Sequence, residues 1–337
     1  MIVMMTAMTP SLNASSRPLP ITPPRSVLRR LLFADVLESD LAPTGKSDGM
    51  RMIIRKLAGL GVLALASSPS FAAAQAAPSP APAATAGASA AAPSDPCTSL
   101  SSLVSRPTFG TAACAVKKGD LLFESGYTNL TSSGAGASNL VTVPQGNIRV
   151  GLGGNLEFDL GPPSIGYLSG APRAVGITDG SIGLKEEIGY SKRAIYGMNV
   201  VYTLPVGSAN VFSANGGGIF ANVNGALTLS PSVGLFATLG YNAQNAGTIA
   251  APARYHDYQP SLGASVSLPQ NFYVFLEGFD VSSTGPGLGG RFGYDTGFQK
   301  DIGSRLQLDF NYYDYLGAQS GQHQHSIGLG AAYLIGS

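Results

Sequence analysis

The sequence predicts an all-β protein, a transmembrane antiparallel up-and-down β-barrel of about 12 strands occupying residues 119–337. Three observations predict it. Short segments alternate apolar and polar residues with a period of two, tight turns alternate with longer loops between those segments, and a secretory signal precedes them all.

The alternation is plainest in RLQLDFNYYDY, Arg305 to Tyr315. Leu306, Leu308, Phe310 and Tyr312 share one parity, and Gln307, Asp309 and Asn311 the other. Such a strand separates an apolar medium from a polar one. A soluble sandwich satisfies the pattern with a protein core inside and water outside. A membrane barrel satisfies it with lipid outside and a wet lumen inside.

The connections decide between them. Strand-like segments fall near 119–130, 139–152, 154–161, 178–190, 194–204, 215–229, 232–243, 257–268, 271–281, 288–300, 304–315 and 323–335. Links after even-numbered segments are short: Gly153, 191–193, 230–232, 269–270 and 301–303. Links after odd-numbered ones are longer, as at 131–138, 162–177, 205–214, 244–256, 282–287 and 316–322. An outer-membrane barrel with both ends in the periplasm produces this rhythm, whereas a Greek-key sandwich has no reason to.

Composition narrows the class further. The 337 residues include 44 Gly, 23 Pro and no Trp, with 12% charged residues and a net charge of +1. Charged content is about half of the roughly 25% usual in soluble domains. With no run of Lys or Arg to neutralise phosphates, nucleic acid is not an expected partner. Outside the signal-like segment, no apolar stretch reaches the roughly 18 residues of a membrane helix, which excludes a helical bundle.

Residues 50–74 read as a signal peptide, with basic Arg51, Arg55 and Lys56, an apolar Leu57–Ala66, and small-residue cleavage sites ending at Ala72, Ala74 or Ala76. Residues 1–49 are either upstream of a true start at Met50 or Met52, or an extended unstructured leader. Residues 75–96 form an Ala/Pro-rich linker. Residues 97–118 are expected to be a periplasmic N-terminal segment or a partial plug in the periplasmic mouth. The chain's two cysteines, Cys97 and Cys114, follow the signal and are expected to pair in an oxidising compartment. Metal binding is not expected, because no further ligands accompany them at suitable spacing.

The polar parity supplies the candidate lumen-lining residues: Glu124, Arg149, Glu157, Asp159, Lys185, Glu187, Arg291, Asp295 and Asp309. Tyr273, Phe275 and Phe279 share a parity with Glu277, so an inward orientation of that face gives the lumen an aromatic wall. The charges either pair across strands and satisfy one another or form a constriction that sorts solutes. Twelve strands lie between the roughly eight that side chains fill and the roughly sixteen that leave an aqueous channel, and abundant Gly and Ser on the inner parity favour some opening. Glu186 is expected to face lipid between Leu184 and Ile188, and Tyr312, Tyr313 and Tyr315 to form part of an interfacial girdle.

Other motifs carry less. Gly285–Gly290 matches G-x-G-x-x-G but lies between strands, without the helix a dinucleotide site requires. His323 and His325 share a face near the mouth of the last strand, where a metal or pH-sensing role competes with two plain exposed imidazoles. His256–Asp257 invites a rim hydrolase reading, yet nothing in the sequence sets a nucleophile beside it. No catalytic residue, metal or cofactor is expected.

Arg106-Pro107, Lys118-Gly119-Asp120 and Glu124-Ser-Gly-Tyr127, with Ile177–Lys185 and Leu204-Pro-Val-Gly207, resemble the MetA-pathway of phenol degradation (transporter) family over residues 100–337. The resemblance implies an outer-membrane barrel with a role in uptake of aromatic compounds. The C-terminal Gly330, Tyr333 and Ile335 are spaced like the signal that engages the outer-membrane assembly machinery, with Ile replacing the final aromatic and two residues following. The expected function is an outer-membrane channel for diffusion of small, aromatic or hydrophobic solutes. The alternatives are a structural closed barrel or a rim-sited lipid or ester hydrolase. Partners are the lipid bilayer, a small-molecule solute and the assembly machinery, with oligomeric state left open.

Overall fold

The computed structural model describes residues 95–336 apart from 135, 171–172, 209–210, 249–250, 287 and 317–322; the expected leader, the signal peptide and nearly all of the linker lie outside the described residues. In chain order the elements are α1 (Leu100–Leu103), β1 (Leu121–Ser133), β2 (Ser138–Val143), β3 (Asn147–Gly153), β4 (Leu156–Gly161), β5 (Ile165–Gly170), β6 (Ala174–Ile177), β7 (Gly180–Tyr190) and β8 (Ala194–Leu204). There follow β9 (Gly218–Ser230), β10 (Val233–Thr248), β11 (Ala251–Leu268), β12 (Phe272–Val281), β13 (Arg291–Ile302), β14 (Leu306–Leu316) and β15 (His323–Ile335).

They close into a 12-stranded antiparallel barrel, because β2 with β3, β4 with β5, and β6 with β7 are halves of interrupted strands. β15 pairs with β1 from Leu121↔Ile335 to Ser133↔His323 and seals the cylinder, leaving no open sheet edge at that seam.

Proline causes two of the interruptions. Pro144 divides β2 from β3, and Pro162–Pro163 divide β4 from β5, at positions where a residue with no N–H cannot continue the ladder. Below these breaks β3, β4 and β7 belong to the ring. Above them β2, β5 and β6 form a ladder hung from β1. β6 pairs in the sheet with β5 only, and loop 205–217 covers its other edge. The Ser208 N–H donates to Ile177 O at 2.8 Å, and Asp179 accepts from the N–H groups of Gly207 and Ala214 at 2.9 and 2.8 Å.

Two regions read from sequence as loops are strands. Within 162–177, Ile165–Gly170 resumes the alternation once the prolines are past and pairs with β2 as β5, with β6 alongside it. Within 244–256, β10 and β11 run on as an extended hairpin with unbroken register from Val233↔Val266 to Thr248↔Ala251. Turn residues mark where elements change direction, not where a polar stretch between prolines lacks a partner. The tight turns do match local chemistry: Gly153, Gly154 and Asn155 at the β3–β4 turn have φ of 96°, 62° and 64°.

The barrel is polar inside and apolar outside. On β7, Lys185 and Glu187 are buried, whereas Leu184, Glu186 and Ile188 are exposed. Leu184, Val200, Leu239, Leu262, Leu276 and Leu329 are all more than 40% exposed on the outer surface, a continuous apolar belt that water would not tolerate and hydrocarbon does. Outward Phe123 and Tyr333, paired in register, lie near the turn end with Tyr190, while Tyr202, Tyr241 and Tyr258 lie nearer the other end. Tyr313 and Tyr315 do not join these girdles. They share the inner parity of Asp309 and Asn311, so they turn inward and are only 3% and 1% exposed.

Candidate functional site

The interior at the turn end is occupied by the chain's own residues. Cys97 and Cys114 form a disulfide, and Leu100, Leu103, Val104 and Val116 pack with Leu122 of β1, Ile195 of β8 and Ala332 of β15 into one apolar cluster. α1 between them is capped by the Ser99 side chain, which accepts from Ser102 N.

From Val104 the segment crosses the interior, tied to the wall at each step. Glu124 accepts from Ser105 N at 2.8 Å, Asp309 pairs with Arg106 at 3.4 Å, and Asn311 donates to Pro107 O at 3.1 Å. The two oxygens of Glu277 accept from Phe109 N and Gly110 N at 2.9 and 3.0 Å. Asn222 donates to Thr111, and Glu157 accepts from Val116 N at 2.6 Å. These partners stand on β1, β4, β9, β12 and β14, so the contacts run most of the way around the cylinder.

The inner-face glycines have a different use from the one expected. A Cβ on Gly151 would lie 1.7 Å from Lys117 O, and one on Gly197 would lie 2.4 Å from Ala113 O. They let the inner segment's backbone approach the wall, and at this level they do not open the lumen. A cavity of about 60 Å³ remains beside the segment, lined by Arg106, Thr108, Glu124, Gln145, Asn311 and Tyr313.

The expected lumen charges are all buried, and many satisfy one another. Arg149 lies between Glu157 (2.6 and 3.0 Å), Glu124 (3.1 Å) and Asp159 (3.7 Å), and its other donors reach Leu103 O and Cys114 O. Lys185 is the register partner of Glu157, with Nζ 3.6 Å from its carboxylate. Glu187 is buried toward the turn end of β7. Asp295 pairs in register with Glu277 and accepts from Asn311 at 3.2 Å. Arg291 donates to Gln324 at 2.6 Å and sits 5.6 Å from the centroid of the Tyr315 ring. Of these charges, Arg149, Glu124, Glu157 and Asp309 also bond to the inner segment.

The inner face of β12 carries Tyr273, Phe275, Glu277 and Phe279, with Tyr273 half-buried and the other three buried. Phe109 of the inner segment stacks on Phe279 with centroids 4.1 Å apart and planes 6° from parallel. Tyr313 and Tyr315 meet Phe279 edge-on at 6.3 and 5.5 Å, and Val281 and Leu130 complete the patch. An aromatic cluster therefore stands on the inner wall, separate from the apolar cluster around the disulfide. The lumen-lining set expected from the sequence leaves out Arg106, Phe109, Tyr313 and Tyr315, which the structure places inside. Parity alone was enough to turn the two tyrosines inward; for Phe109 the only signal was that it is the sole aromatic residue in 97–118.

The remaining motifs come apart. His256 and Asp257, as strand neighbours, face opposite sides: His256 Nδ1 meets Tyr241 Oη at 2.7 Å on the outer face, while Asp257 is buried inward against Asn242 and Gln259. His323 has the carboxylate that its own strand lacks, Asp314 of β14, at 2.8 Å. Gly285–Gly290 lies in the β12–β13 loop, and the element that follows it is a strand.

A sealed 12-stranded cylinder with an apolar belt outside and charges inside is a bacterial outer-membrane β-barrel, of the architecture shared by channels and porins. The chain is similar in fold to an outer membrane channel from Pseudomonas putida F1, with a TM-score of 0.53 and 14% identity over 68% of this chain and 100% of that one. It also aligns with the NanC porin at a TM-score of 0.44 and 8% identity, over 62% of this chain and 98% of that one. No family model matches the chain, and no curated protein matches it in sequence.

Proposed function

We propose that the protein passes small aromatic or hydrophobic solutes across the outer membrane by diffusion, with residues 97–118 as a partial plug that must shift for passage. The observation that carries this is the aromatic cluster of Phe279, Tyr313 and Tyr315 on the inner wall, among the buried charges of β12–β14. A water-filled pore for ions or sugars gains nothing from desolvated rings, whereas an apolar solute gains a partner for each face it removes from water. The resemblance of Arg106-Pro107 and Lys118–Asp120 to the MetA-pathway family supports the same cargo class.

Uptake of radiolabelled toluene by intact cells tests the reading. Cells lacking the gene take it up more slowly at low external concentration, and the plasmid-borne gene restores the rate. Equal rates overturn it.

A second reading, a closed structural barrel, is favoured by the ring of contacts around the inner segment. It is separated by planar-bilayer recordings of the Glu277→Ala variant, which frees the Phe109–Gly110 tip. Current through the loosened barrel supports the channel, and silence at every voltage supports the structural barrel.

A further inference from the structure

We propose that Phe109 occupies a binding site for a planar aromatic ring, and that an arriving aromatic solute takes its place against Phe279. This rests on the channel reading above and names the site within it.

The geometry is that of a ligand in a pocket. One wall is the face of Phe279, met at 4.1 Å and 6° by the Phe109 ring, and Tyr313 and Tyr315 hold Phe279 from its own sides through T-shaped contacts at 6.3 and 5.5 Å. Those three residues belong to β12 and β14, adjacent to β13 on either side and held by unbroken ladders. Phe279 is seated over Gly293, where a Cβ would lie 2.5 Å from its ring, so the wall is cut to hold Phe279 in this position. Phe109 alone is delivered from outside the sheet. Its backbone is anchored through its N–H to Glu277, so its ring can swing about its side-chain torsion without breaking that bond.

The energetics allow exchange. An aromatic pair contributes roughly 0.5–1.5 kcal/mol beyond area burial, so the stacking of the internal ring weakens an external one by about two- to tenfold, and the apolar area Phe109 buries adds to that factor. Phe109 therefore acts as a competitor that keeps the site dry when empty of cargo and yields to it at modest concentration. The site selects for flat π-faces, since a saturated ring has no π-face to stack on Phe279 as the Phe109 ring does.

The chain has no tryptophan, so Phe109→Trp creates a single emitter at the site. In nanodiscs, benzyl alcohol is expected to change the emission saturably, cyclohexylmethanol of similar size is not, and Phe279→Ala abolishes the response. A response identical for both alcohols, or no response up to the solubility limit, overturns the proposal. Should the larger indole disturb folding, Phe109→Leu provides a second measurement. Saturation-transfer NMR on benzyl alcohol is expected to show binding roughly three- to tenfold tighter than wild type, and unchanged or weaker binding overturns the proposal. Toluene uptake without ring displacement sinks this inference and leaves the channel standing. Displacement without uptake keeps the site and sinks the channel.

Discussion

Arg149 and Glu157 form a two-point ion pair, Nε to Oε1 at 2.6 Å and Nη2 to Oε2 at 3.0 Å, in which neither side chain is exposed to solvent. The same guanidinium holds carbonyls of the inner segment at Leu103 and Cys114. Removing one partner of a buried pair strands the other charge, at a typical loss of roughly 3–5 kcal/mol. Arg149→Met is expected to lower the unfolding free energy of the barrel, read from urea titration in lipid vesicles, by that order, and Arg149→Met with Glu157→Leu to recover part of the loss. A single variant as stable as wild type contradicts this.

Gly151 is where the segment's backbone touches the wall, with Lys117 O 1.7 Å from any added Cβ. Gly151→Val is expected to expel residues near Lys117 while the rest of the ladder closes. Trypsin then cuts after Lys117 or Lys118 in protein that still shifts on a gel when heated. Resistance equal to wild type rules out the contact.

The Cys97–Cys114 bridge closes a loop with a sequence separation of 17. A loop of about 15 residues gains roughly 3 kcal/mol from such a bridge, equivalent to roughly a hundredfold in opening. Replacing both cysteines by Ser is expected to speed hydrogen exchange at Leu100–Val116 by about that factor and to leave β10 and β11 unchanged. Exchange unaltered at Leu103 and Val104 would count against it.

Glu277 satisfies two backbone donors at the segment's tip, the buried Gly110 N–H and the part-buried Phe109 N–H. Each donor left unpaired costs about 1–3 kcal/mol, so Glu277→Ala is expected to raise single-channel conductance by freeing Phe109 and Gly110. Glu277→Gln retains one acceptor and is expected to give an intermediate value. Conductance in the reverse order would defeat the assignment.

Glu186 faces outward between Leu184 and Ile188. A lipid-facing carboxylate near the barrel rim carries a small penalty, so Glu186→Leu is expected to stabilise the barrel by up to about 1 kcal/mol in a urea titration. A loss of stability would mean that the carboxylate has a partner.

Residue by residue, the barrel was legible because alternation is a local property. Leu184 and Lys185 declare their sides through composition alone, and Asp309 and Asn311 carried Tyr313 and Tyr315 inward with them even where their chemistry suggested a girdle. The prolines misled in the opposite direction. Pro162–Pro163 were read as the end of a strand, whereas β5 resumes after them because β2 offers a partner, and no local signal reports a partner's presence.

What the sequence by itself determined is therefore the class: strands, their two faces, their turns, and the solvent on each side. The tertiary structure alone decided what fills the cylinder. Phe109 and Glu277 are 168 residues apart, and their hydrogen bond exists only once the barrel has closed around the segment. A period of two specifies which way a side chain points, but not what will be waiting across the lumen when it arrives.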